Sequence, residues 1–197
     1  MLFTASRKDN LLKIIVEEYI DSAEPVGSGL IAQKYFKDLS SATIRNDMAE
    51  LEEEGLIHQP HTSAGRVPTL AGYRYYLDNF VSEGKISGKS KKDLDELSKD
   101  LTSDRESVKS LAKSLAEISN EAVLIGFSSS DVYYTGISNL FRQPEFAEQD
   151  IVYSISEIID HLDEVMANIF DRVEGRAQIL IGRDNPFGES SSVVLVK

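Results

Sequence analysis

Residues 42–54 place Ile44, Met48 and Leu51 at i, i+4 and i+7, with Gly55 directly after them. Such spacing predicts a helix that buries one narrow stripe, and the glycine supplies its C-cap. The helix is too short to stand alone, so other elements must cover that stripe. Its opposite side is equally informative. At about 100° per residue, the face away from the stripe carries Ala42 and Asn46 near the helix start, flanked by Thr43 and Arg45, with Ser41 opening the helix. Asn bonds adenine bidentately, Arg bonds guanine or phosphate, and Ala and the Thr methyl tolerate a thymine methyl. The C-terminal half carries Glu50, Glu52, Glu53 and Glu54, which phosphates repel, so only the N-terminal end is fit to enter a groove.

The flanking sequence supplies the cover. Residues 10–20 carry Leu11, Leu12, Ile15, Val16 and Tyr19 at helical spacing, with Asp9 placed as a cap and Glu24-Pro25-Val26-Gly27 as the stop. Ser28 is placed to cap a short second helix over 29–35, and Lys37-Asp38-Leu39-Ser40 forms the following turn. After Gly55, residues 56–59 read as a strand entering Pro60-His61-Thr62-Ser63-Ala64-Gly65-Arg66-Val67-Pro68, a hairpin. Ser63, Ala64 and Gly65 are small enough for the hairpin to approach a sugar-phosphate backbone, and Arg66 supplies charge. Thr69 caps a fourth helix over 70–80, whose Tyr73, Tyr76, Leu77 and Phe80 turn inward or toward a partner. Residues 1–82 thus predict a winged helix-turn-helix domain. The candidate DNA contacts are Ser41, Ala42, Thr43, Arg45 and Asn46 on the helix, His61, Thr62, Ser63, Gly65 and Arg66 on the wing, and Arg74 beyond it. Winged modules that bind protein share this topology, so DNA rests on the side chains and not on the fold.

Charge is the objection to meet. The formal net charge is −12, and residues 1–80 hold eight Lys and Arg against twelve Asp and Glu. Residues 56–77, however, carry Arg66, Arg74, His58 and His61 and no acid. One face can be basic in an acidic domain, although so few cations predict weak sequence-independent binding and a modest salt slope. The chain has no cysteine and three histidines, which excludes disulfides and thiolate sites and leaves little for a metal. No apolar run approaches the roughly 18 residues a membrane span needs, and the start lacks a signal-peptide pattern, so a cytoplasmic location is expected. Catalysis is not expected. Asp131, Asp150, Asp160, Asp163 and Glu164 lie at strand starts or along an amphipathic helix and do not converge, and residues 181–188 fit neither the Walker nor the dinucleotide-binding spacing. No cofactor is expected; a small-molecule effector held by the second domain is the alternative to a plain repressor.

Residues 83–92, rich in Gly, Ser and Lys, read as a linker, with a second domain over 93–197. Leu94, Leu101, Val108 and Leu115 recur every seven residues, with Leu97, Leu111 and Ile118 as a second series. This seam either pairs with its copy in a dimer or lies along the domain's own sheet. Ser103 or Asp104 is placed to cap a restart at Arg105. Strands follow at 122–127 and 131–136 across Ser128-Ser129-Ser130, then one helix over 147–170 with Ile151, Ile155, Ile158, Ile159, Leu162, Val165, Met166 and Ile169 inward, then strands at 178–182 and 192–197. The expected class is α+β, with an α/β second domain.

Leu39-Ser40-Ser41-Ala42-Thr43-Ile44-Arg45-Asn46-Asp47-Met48, Glu53-Glu54-Gly55-Leu56, Pro60-His61-Thr62-Ser63-Ala64-Gly65-Arg66 and Pro68-Thr69-x-x-Gly72-Tyr73-Arg74 closely resemble HrcA, the heat-inducible transcription repressor of bacteria. Tyr134-x-Gly136, Asn139-Leu140, Pro144-Glu145-Phe146, Ile181-Gly182-x-x-Asn185-Pro186 and Ser192-Val193-Val194 are similar to its GAF-like dimerisation domain. The resemblance implies a homodimer that binds the inverted-repeat element CIRCE in double-stranded DNA, represses chaperone operons and has the chaperonin as a partner. It also exposes two departures. Three serines stand where the family carries an inserted segment, so a shortened form lacking that segment is expected; the family's Gly-Pro-x-Arg-Met stretch is also missing from the sequence up to Lys197.

Overall fold

The computed structural model describes residues 6–82, 88–99, 104–147, 149–189 and 191–197. The chain divides into two compact units, Met1–Glu83 and Gly84–Lys197. Its class is α+β: helices dominate, and the strands among the described residues form three separate two-stranded antiparallel ribbons.

In the first unit, α1 (Arg7–Ser22), α2 (Ser28–Lys34) and α3 (Ser41–Glu53) precede β1 (Ile57–His58), β2 (Val67–Pro68) and α4 (Leu70–Phe80). Helix α1 starts three residues earlier than its apolar pattern indicates. Ser6 is the N-cap and Asp9 is its capping-box partner: the Asp9 amide donates to Ser6 Oγ, and the Ser6 amide donates back to the Asp9 carboxylate. Ser28, expected as a cap, is the first residue of α2, where Gly27 caps without a side-chain bond. Ser40, expected only as a turn residue, caps α3 by accepting from the Thr43 amide. Gly55 is in the left-handed region at φ 75°. There its amide donates to Glu52 O and that of Leu56 to Leu51 O, the paired bonds of a Schellman stop.

The core of this unit gathers Leu11, Leu12, Ile15 and Val16 from α1, Val26, Ile31 from α2, Ile44, Met48 and Leu51 from α3, and Ile57 from β1. Tyr73, Tyr75 and Tyr76 of α4 close it from one side. The Tyr75 hydroxyl donates to Asp9 Oδ1 at 2.8 Å, tying α4 to the start of α1. Burial pushes the Asp9 carboxyl up, but donation from the Ser6 amide and the Tyr75 hydroxyl outweighs it and holds the group below its ordinary value. A carboxylate depressed in the folded state contributes stability above its unfolded pKa and loses it as pH falls through the folded one. The melting temperature of the wild-type chain is therefore expected to drop below about pH 4; Asp9→Asn should flatten that part of a melting-temperature-against-pH series.

The second unit begins with α5 (Gly88–Lys99), so the helix reaches into the stretch expected as linker; residues 83–87 and Leu101 lie outside the described residues. Asp104 caps the restart, α6 (Arg105–Ser119), by accepting from the Glu106 and Ser107 amides. Of the two placements open for the seam, α6 lies along its own ribbon, β3 (Val123–Ser128) paired with β4 (Asp131–Thr135). Ala112 and Ala116 are its buried positions; Val108, Leu111 and Leu115 flank them half-buried, and Ile118 is exposed. After α7 (Ile137–Leu140) and a 3-10 turn, Pro144–Ala147, the expected single helix is two: α8 (Gln149–Asp160) and α9 (Leu162–Ile169), broken at His161. The ribbon of β5 (Gln178–Ile181) and β6 (Ser192–Leu195) closes the unit.

The motifs of this unit hold turns. Gly136 has φ 75°, and a Cβ there would sit 2.5 Å from Glu121 O. Asn139 Nδ2 donates to Ala116 O and Glu121 O, fastening the end of α6. Asn185, buried, donates through Nδ2 to Gly188 O, Ser191 O and Ser191 Oγ, which staples it to both residues.

Candidate nucleic-acid interface

Helix α3 carries Ile44, Asp47, Met48 and Leu51 inward, which turns the side bearing Ser41, Ala42, Arg45 and Asn46 to solvent. Arg45 and Asn46 are exposed and have no side-chain hydrogen bond or ion pair among the described residues. Thr43 is half-buried, its Oγ1 2.9 Å from Ser40 Oγ, so it serves the cap. The unpaired leading amides of α3 add partial positive charge at this end.

Ion pairs from two cations of α1, Arg7 and Lys8, fix α3. Arg7, the first residue of α1, donates to both carboxylate oxygens of Asp47, at 2.7 and 2.8 Å. Asp47 is only 4 % exposed and directly follows Asn46. Lys8 reaches Glu54 at 2.7 Å and Glu50 at 3.1 Å. The acidic half of α3 is thus largely compensated: Glu50, Glu52 and Glu54 all have cation partners.

The hairpin is built with equal economy. Ile57 pairs with Pro68 and His58 with Val67, while Val26 and Arg66 exchange backbone bonds of 2.9 Å and add a third chain segment. Gly65 is required at that bridge, since a Cβ would lie 2.4 Å from the Val26 carbonyl. Gln59 Nε2 donates to Thr62 O and Ala64 O across the loop, and the Ala64 amide donates to His61 O. His61, Thr62 and Ser63 are exposed at the turn so formed. Arg66 differs from its expected role as the hairpin's open cation. Its side chain is 15 % exposed, with Nε and Nη2 each 2.9 Å from Glu52 Oε2. Glu52, which the sequence marks only as repulsive, also accepts from the Gln59 amide at 2.9 Å. Arg74 is exposed on α4. Ser41, Ala42, Arg45 and Asn46 thus share one exposed face, and His61, Thr62 and Ser63 another stretch of the same unit's surface; Gly65 and Arg66 are structural parts of the hairpin. Among the described residues no group of three His, Asp or Glu side chains is arranged to hold a metal, and no helix is long and apolar enough to cross a membrane.

Residues 77–197 match the family profile described as HrcA protein C terminal domain. A heat-inducible transcription repressor HrcA from Desulfitobacterium hafniense is 56% identical over 81 residues, covering 41% of this chain and 24% of the relative. Its namesake from Chlorobium limicola is 36% identical over 199 residues, covering 90% of this chain and 55% of the relative. That from Bifidobacterium longum is 40% identical over 126 residues, covering 64% and 34%. The chain therefore spans between about a quarter and about half of the length of these relatives. A crystal structure of a hypothetical protein, at 20% identity, superposes with a TM-score of 0.62 over 96% of this chain and 83% of that one, and so shares its fold. With the profile covering more than half of its residues, the chain belongs to the HrcA family.

Proposed function

We propose that the first unit is a winged helix-turn-helix in which α3 reads the major groove and the hairpin is the wing. On this proposal the chain is a DNA-binding transcriptional repressor of heat-shock operons that recognises a CIRCE-like inverted repeat. The observation that carries it is the outer face of α3: Arg45 and Asn46 stand exposed with no side-chain partner among the described residues, while Glu50, Glu52 and Glu54 behind them are tied back by Lys8 and Arg66. Ser41 and Ala42 complete the helix contact, with Thr43, whose hydroxyl is engaged by Ser40, offering its methyl. His61, Thr62 and Ser63 approach the sugar-phosphate backbone, and Arg74 adds charge. Gly65 and Arg66 act indirectly, by shaping the wing. The names of the relatives support the repressor role.

An inverted repeat calls for two-fold symmetry, and a second copy is the natural source of it. The second unit, a reduced GAF-like domain on this proposal, offers apolar surface for that purpose. Ile179 and Val194 are cross-strand partners on the outward face of the β5–β6 ribbon, and Val194 and Val196 are 63% and 67% exposed. Such surface also suits a chaperonin, the partner proposed to keep the repressor active, in the cytoplasm. In a gel-shift titration, the full inverted repeat should bind two chains far more tightly than an isolated half-site or a scrambled duplex. Equal affinity for all three duplexes would remove both the sequence-specific and the dimeric claims.

A further inference from the structure

We propose that Glu52 is a positioning residue that locks the wing to the reading helix and, by holding Arg66, keeps the wing from binding DNA indiscriminately. This rests on the DNA-binding function proposed above and concerns how that surface achieves specificity. One carboxylate serves both roots of the hairpin. Oε1 takes the amide of Gln59 on the outgoing side, and Oε2 takes Nε and Nη2 of Arg66 on the return side. Glu52 lies on α3, about one and two-thirds turns beyond Asn46, so the angle between the helix start and the hairpin turn passes through this side chain. Ile57 and Val67 anchor the base of the hairpin in the core, but among the described residues Glu52 is the α3 side chain that bonds it. Its ladder is two residues per strand, and its remaining polar ties are internal to the loop, run to Val26, or join Thr69 to Gly55 and Leu56 at its base.

Charge acts separately from this geometry. A guanidinium on a wing attracts any phosphate and so strengthens all sequences alike. Paired with Glu52 and largely covered, Arg66 contributes little of that attraction, and discrimination is left to Arg45 and Asn46. The pairing also explains how a chain of such acidity places an arginine at the wing without gaining indiscriminate affinity.

The test compares Glu52→Gln with Glu53→Gln in the full chain. Glu53 is exposed on the same helix and makes no hydrogen bond or ion pair among the described residues, so its variant removes the same charge without touching the hairpin. Gln at position 52 keeps an acceptor for Gln59 but loses the charged acceptor of Arg66. Hydrogen exchange at the Ala64 and Arg66 amides should rise about tenfold in Glu52→Gln, a local opening, with the Ile15 amide unchanged as a check on the fold. Binding to a scrambled duplex should tighten several-fold, with a salt slope steeper by about one unit. The ratio of inverted-repeat to scrambled affinity should fall. Glu53→Gln should leave the exchange and the ratio as in the wild type. Equal behaviour of the two variants, or unchanged exchange in Glu52→Gln, overturns the proposal while leaving DNA recognition intact. A wild type that does not discriminate between the duplexes overturns the recognition function, and this proposal with it.

Discussion

Gly72→Ala is expected to destabilise the first unit by about 3 kcal/mol, against the direction that helix propensity dictates. Alanine in place of glycine inside a helix ordinarily gains about 1 kcal/mol. Here Gly72 is buried in α4, and a Cβ would come within 2.0 Å of the Leu56 carbonyl oxygen and 3.1 Å of its carbon. Backbone atoms cannot rotate aside, so α4 must lift away from the root of the hairpin. Two bonds lie in the path of that shift: the Gly72 amide to Thr69 Oγ1 at 3.1 Å, and Thr69 Oγ1 to Gly55 O at 2.7 Å. Gly29→Ala in α2 is the control, because a Cβ there meets nothing within 4 Å; it should be neutral or slightly stabilising. Urea unfolding followed through the exchange of the buried α1 amides measures both. A neutral Gly72→Ala would mean that α4 does not pack on Leu56 as described.

Ile44→Ala carries the second large effect, about 3 kcal/mol within the 2 to 5 expected for such a truncation in a core. Ile44 is fully buried among residues of α1, α2 and β1, and collapse around the vacated space is limited by the rigid helices on each side. The same exchange measurement should show the loss, whereas Asn46→Ala, two residues further on, should leave stability within about 0.5 kcal/mol. The pair separates the two faces of α3. Equal stability of both variants would contradict the assignment of its buried stripe.

Local chemistry was what the sequence made legible. The stripe of Ile44, Met48 and Leu51, the Gly55 stop, the Thr69 cap and the Asp104 restart each depend on residues within one or two turns, and each is where the spacing places it. Cap assignments slipped by one to three residues where several candidates adjoin, as with Ser40 beside Ser41 and Ser6 ahead of Asp9. Pairs distant in sequence were not legible. Nothing in composition links Arg7 to Asp47 across 40 residues, or Arg66 to Glu52 across 14, yet these bonds orient the proposed recognition surface. The break at His161 was hidden for a different reason. Ile158, Ile159, Leu162, Val165, Met166 and Ile169 keep their apolar spacing straight through it, so periodicity alone reads one helix where there are two.

These distant bonds also change what the acidic composition means. Asp47 and Glu52 are inward or inter-element anchors, and Glu50 and Glu54 share Lys8, so most of the charge on α3 that argued against DNA is locally neutralised. What remains at the start of the helix is one arginine, one asparagine and small residues. A surface of that kind discriminates by hydrogen bonding more than by attraction, which suits a repressor with low affinity for the rest of the genome.

Operator reading by the start of α3 is measured most directly by the affinity of the wild type, Arg45→Ala and Asn46→Ala for the inverted repeat and for a scrambled duplex at one fixed salt concentration. Each substitution should cost about 1 to 3 kcal/mol on the inverted repeat, roughly 5- to 150-fold. Asn46→Ala should leave binding to the scrambled duplex unchanged. Wild-type affinity for the inverted repeat in both variants would contradict the claim that the start of α3 reads the operator.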